Sequence, residues 1–152
     1  MLKISRISTI GFTIYILETL RNWIEIVLVS KKIYYFGVIQ QAIFLFTIII
    51  FAGILTIKAT EFKNKRRIII EIVLASLLAA SLQIFFGALE LLDWRFGFLS
   101  SINTLVTTNI KKNNYLNILS YFFVRSLLYT IFLSLGAIFR VIIVSFKRNV
   151  IG

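Results

Sequence analysis

Hydrophobic residues run along this chain in four long stretches, separated by short clusters of charge. The cleanest is YYFGVIQQAIFLFTIIIFAGILTIK, residues 34–58, with no charge before Lys58. At ~1.5 Å of rise per residue, a helix of this length crosses the ~30 Å hydrocarbon core of a bilayer. IIIEIVLASLLAASLQIFFGALELL, residues 68–92, predicts a second such helix. A further stretch, residues 116–146, holds Arg125 and Arg140 and is longer than a crossing needs, which implies tilt or a projecting end.

The first stretch, residues 7–30, is less clear. Glu18, Arg21, Asn22 and Glu25 fall at i, i+3, i+4 and i+7, one face of a helix. A charge at the centre of a spanning helix costs roughly 2.5–3.5 kcal/mol, and each Ile or Leu returns about 0.3–0.6. Alone, this helix would insert marginally. It either packs its polar stripe against other helices or lies along the interface. Insertion is the preferred expectation, giving an all-α integral membrane fold: four transmembrane helices in an up-down bundle forming one membrane domain over 1–152.

The connections set the orientation. The densest basic cluster, KATEFKNKRR at residues 58–67, belongs on the cytoplasmic or equivalent side by the positive-inside rule. Four crossings then place nine basic residues on that side with both termini, five opposite, and three arginines within spans. Tyr34, Tyr35, Trp94 and Tyr115 fall at outer helix ends, where an aromatic belt belongs. The outer loop, 93–114, spaces Phe98, Ile102, Leu105, Val106 and Ile110 at roughly helical intervals, with Ser100 or Ser101 as a cap. A short interfacial helix is expected there.

Composition agrees with the pattern. The chain is 59% hydrophobic and 15% charged, with a net charge of +11. Soluble domains carry about 25% charge. The basic excess sits at the ends of apolar stretches, which favours lipid headgroups over nucleic acid. Lys63, Lys65, Arg66 and Arg67 are the candidates for binding anionic headgroups. There is no Cys and no His, so thiol nucleophiles, imidazole bases and the commonest metal and haem ligands are missing. Glycine-rich phosphate loops and hydrolase motifs are missing too. No catalytic residue, cofactor or metal is expected; Glu90 with Asp93, beside Arg95, reads as a hydrated helix end. Abundant Ile, Asn and Lys, with AT-rich codons, suggest a bacterial inner membrane or an organellar one.

Depth suggests how the buried charges pair. Glu18 lies about 16 Å above the inner boundary and Arg125 about 12 Å below the outer one, nearly the same height in a ~30 Å core. Glu18 is therefore the first candidate partner of Arg125. The same reasoning couples Glu71 with Arg140 and Gln41 with Gln83. The spacing of Ala75, Ser76, Ala79 and Ala80 suits ordinary close packing within the bundle. Matched acids and bases favour interhelical glue over an ion path. The leading expectation is a non-catalytic accessory or assembly subunit of a larger membrane complex, with other membrane subunits and anionic lipid as partners. The alternative is a small homo-oligomeric transporter or channel with an arginine-lined path.

Overall fold

A computed structural model describes residues 4–30, 38–57, 64–89, 91 and 103–151. Among them are five helices and no strand: α1 (Ile4–Ser30), α2 (Val38–Thr56), α3 (Lys65–Leu89), α4 (Asn103–Lys111) and α5 (Tyr115–Ile151). α2, α3 and α5 are long and apolar enough to cross a membrane, over Ile39–Thr56, Arg66–Leu89 and Tyr115–Phe146. α1, interrupted by Arg6, Glu18, Arg21 and Glu25, is not among them.

Local chemistry sets the helix ends. α3 begins three residues earlier than its apolar run, because the Asn64 side chain accepts the Arg67 amide at 3.2 Å and caps the first turn. α4 ends in a tight turn at Asn113, whose φ of 53° is left-handed, a conformation asparagine tolerates. The Asn113 and Asn114 amides return to the Ile110 and Asn109 carbonyls, at 3.0 and 2.8 Å. α5 then starts at once. It continues beyond Phe146 to Ile151, since hydropathy limits a crossing but not a helix. The expected helix in the outer loop is α4; Phe98, Ser100, Ser101 and Ile102 lie outside the described residues.

The four long helices close into a ring. α1 packs on α2 and α3, and α5 packs on the same two. α1 therefore faces α5 across one diagonal, and α2 faces α3 across the other. α4 sits against α3 and α5, with Val106 buried. Contacts fix the relative run of neighbours. Arg6 meets Glu71 and Tyr15 stacks on Phe86, so α1 and α3 ascend together. Phe46 stacks on Phe132 at 4.1 Å and Arg140 reaches Ile54 and Leu55, so α2 and α5 do the same. α3 begins beside the later half of α5 and ends beside its start.

The α2–α5 seam is unusually close. A Cβ added to Gly53 would lie 2.5 Å from the Leu133 carbonyl oxygen, and one on Gly136 would lie 3.0 Å from the Gly53 Cα and strike the Ile50 carbonyl. Only glycine at both positions lets the backbones approach this far, as small residues do at membrane helix contacts. The α1–α3 seam uses Gly11 against Leu78 and Ala75, and the small residues Ala75, Ser76, Ala79 and Ala80 are all buried.

The polarity of the bundle is inverted relative to a soluble protein. Glu18, Arg21, Glu25, Glu71, Ser76, Gln83 and Ser126 are buried. Phe12, Ile16, Leu20, Trp23 and Val27 form an exposed apolar stripe down α1, and Phe123, Leu127, Ile131, Leu135, Ile138 and Ile142 form one down α5. Water disfavours such a surface over this length, whereas hydrocarbon accepts it. Hydroxyls in the spans are satisfied locally. Those of Thr47, Ser76, Ser81, Thr130 and Ser134 each donate to the carbonyl four residues back.

Candidate functional site

The centre of the ring holds a buried ionic network between α1 and α5. Arg125 Nη2 forms an ion pair with Glu18 Oε1, and the Tyr129 hydroxyl donates to Glu18 Oε2. Arg125 Nε donates to the same hydroxyl at 3.0 Å. The guanidinium also stands 5.3 Å from the Tyr121 ring centroid and 5.6 Å from that of Tyr129, within cation–π range. Glu18 and Tyr129 are both fully buried. The three side chains form a closed triangle: carboxylate, guanidinium and phenol each bond the other two.

One turn along α1, Arg21 Nη1 donates to Glu25 Oε1 at 2.5 Å, and both residues are buried. This is an i,i+4 pair within one helix. Together with Glu18 and Arg125 it makes a neutral quartet, two cations and two anions. The stripe on α1 is therefore matched mostly within α1 itself, with a single cation supplied by α5.

A second cluster lies between the starts of α1 and α3. Arg67 Nε donates to Glu71 Oε1 at 2.8 Å, and Arg6 Nη1 stands 3.2 Å from Glu71 Oε2. Two guanidiniums share one buried carboxylate, leaving the cluster with a surplus positive charge. The pairing of Glu71 with Arg140 expected from depth is not what forms. Arg140 Nη1 donates instead to the carbonyls of Ile54 and Leu55, the latter at 3.0 Å. These belong to the last turn of α2, whose carbonyls have no partner within the helix, and a cation there also meets the negative end of the helix dipole. α5 lies against α2 at this height, so the helix end is the nearer acceptor.

The expected partners Gln41 and Gln83 sit in different surroundings. Gln83 is fully buried on α3, whereas Gln41 is exposed on α2, across the diagonal. Of the basic cluster, Arg66 is exposed and Arg67 is committed to Glu71. Lys65 is the first residue of α3, and Lys63 lies outside the described residues, as do Glu90, Asp93 and Arg95.

Several participants carried a sequence signal that acid–base matching passes over. Tyr129 stands four residues after Arg125 and so shares its helix face. Arg6 is six residues from the start, where it reads as a topology charge. The carbonyls that hold Arg140 belong to no side chain at all.

Among the described residues, no group of three or more His, Cys, Asp or Glu could hold a metal ion. Paired charges of this kind hold helices in register or offer charges to a passing ion. No protein-family model, curated protein or solved structure matches the chain.

Proposed function

We propose that this chain is a four-span, up-down membrane bundle with both termini on the cytoplasmic or equivalent side. In that membrane it serves as a non-catalytic accessory or assembly subunit of a larger complex. The observation that carries this reading is that the buried charges are spent on one another. Glu18, Arg125, Arg21 and Glu25 sum to zero, and Arg140 is taken by helix carbonyls. A path for ions needs charges available to the cargo; charges locked in pairs act as glue and set register.

Insertion of α1 is supported by the direction of its two faces. A helix lying on the interface would turn its polar face to water and its apolar face to lipid. α1 instead points Glu18, Arg21 and Glu25 into the ring and presents Phe12, Ile16, Leu20 and Trp23 outward. The parallel run of α1 with α3 and of α2 with α5 agrees with alternating crossings. Action through assembly is supported by the apolar outer faces, which leave side-to-side contact within the membrane as the main means of engagement.

The second reading, a small homo-oligomeric transporter or channel, draws on Arg21. Its Nε has no hydrogen-bond partner although the residue is 7% exposed. Native mass measurement after gentle extraction separates the two. A hetero-complex of fixed stoichiometry supports the subunit reading, with Arg125→Leu weakening assembly. A symmetric homo-oligomer whose anion flux in liposomes is abolished by Arg125→Leu, with the fold intact, overturns it.

A further inference from the structure

Between α3 and α5 lies an open groove of about 480 Å³, lined by Ile68, Ile69 and Ile72 on one side and Ile138, Val141 and Ile142 on the other. Ser134 also borders it, but its hydroxyl is spent on the Thr130 carbonyl at 2.7 Å. The groove therefore offers hydrocarbon and no hydrogen bond. It runs beside the first turns of α3, whose start is basic in sequence. Exposed Arg66 stands three residues before Ile69, one turn away on the helix surface. Lys65 precedes Ile68, Ile69 and Ile72 by three, four and seven residues, the same face by position. Arg6 and Arg67 share the single carboxylate of Glu71 nearby. On α5, Arg148 follows Val141 by seven residues, on the same face by position.

From this juxtaposition we infer that the α3–α5 groove is a binding site for one anionic phospholipid, its acyl chains against the isoleucines and its phosphate at the basic start of α3, where Arg66 is exposed. The inference rests on the membrane-spanning reading and adds a defined lipid site to it. The polarity of the groove favours a lipid over an apolar partner helix: an apolar cleft that ends at a basic helix start suits a molecule with hydrocarbon along its length and an anionic group at one end. Charge decides the headgroup, because a basic cluster at the membrane surface attracts anionic lipid.

The test uses the purified full chain, delipidated in detergent and then offered phosphatidylglycerol or phosphatidylcholine, with bound lipid read by native mass measurement. Wild type is expected to retain one phosphatidylglycerol in preference to phosphatidylcholine by roughly tenfold or more, the order that two basic residues near a surface supply. The double variant Lys65→Gln/Arg66→Gln should lose the preference, and Lys65→Arg/Arg66→Lys should keep it. Ile138→Trp/Ile142→Trp, at two exposed positions, should block retention of both lipids while helix content by circular dichroism stays that of wild type. Equal retention of both lipids by wild type overturns the inference. So does undiminished retention in Ile138→Trp/Ile142→Trp, or crosslinking of an Ile138→Cys variant to a protein rather than to lipid. Failure to extract with membranes would instead overturn the membrane-spanning reading itself.

Discussion

Two of the contacts that α5 makes within the ring are built on opposite principles. Toward α2 it has almost no side chain between backbones: Gly53 and Gly136 meet, and Phe46 stacks on Phe132. Toward α1 it reaches across the diagonal with long polar side chains, Arg125 and Tyr129, to a single carboxylate. The apolar helix α2 gains nothing from hydrophobic contact in lipid, where hydrocarbon is already present, so it is held by shape and dispersion. On the four-span reading proposed above, α1 carries charges that hydrocarbon rejects, so it is held by the cost of exposing them. Shape fixes how close two helices come; charge fixes which residues face each other.

The largest expected effect comes from breaking the charged seam on one side only. Arg125→Leu or Glu18→Leu leaves a buried ion without its partner, at about 3–5 kcal/mol. The double variant Glu18→Leu/Arg125→Leu removes both charges and should recover most of that loss, because a well-packed apolar pair replaces a buried ion pair at little cost. Unfolding by SDS titration in micelles measures all three. Equal destabilisation by the double and single variants would mean that the charges hold something other than each other.

Much of this frame was legible in the sequence, and the unread parts share a cause. The three helices long and apolar enough to cross a membrane follow from length and hydropathy alone. The meeting of Glu18 with Arg125 follows from counting residues, since rise per residue converts position into depth. Matching acids to bases by depth fails for Arg140 because it overlooks the backbone: the end of α2 is an acceptor wherever a helix stops inside a bundle. The Gly53–Gly136 contact has no sequence signal, being two single glycines in separate helices, and only the packing of α2 on α5 gives them a common purpose.

Overpacking the shaped seam should cost less than breaking the charged one. Gly136→Ala drives a methyl into the Ile50 carbonyl, and Gly53→Ala drives one toward the Leu133 carbonyl. Both obstacles are backbone, so the helices must separate, at about 1–3 kcal/mol each. Gly11→Ala meets the flexible end of Leu78 at 2.9 Å as well as the Ala75 carbonyl, and should cost less than either. The same SDS titration ranks them; a Gly11→Ala loss larger than that of Gly136→Ala would move the tight contact to the α1–α3 side. Arg140→Gln comes next, at up to about 2 kcal/mol, because it removes the positive charge from the end of α2. Hydrogen exchange should then rise in the last turn of α2 before anywhere else.

The smallest effect separates hydrogen bonding from charge within the network. Tyr129→Phe keeps the ring and its packing but removes the hydroxyl that donates to Glu18 and accepts from Arg125. The ion pair between Glu18 and Arg125 stays intact, so no charge is orphaned. Interhelical hydrogen bonds in membranes average about 0.6 kcal/mol and reach about 1.7, and the loss should fall in that range. In an Arg125→Leu background the same change should cost more, since the phenol then carries more of the hydrogen bonding to a buried carboxylate. A cycle of the four proteins gives that coupling directly. A single-variant loss of 3 kcal/mol or more would make the tyrosine, and not the arginine, the group that keeps α1 in the ring.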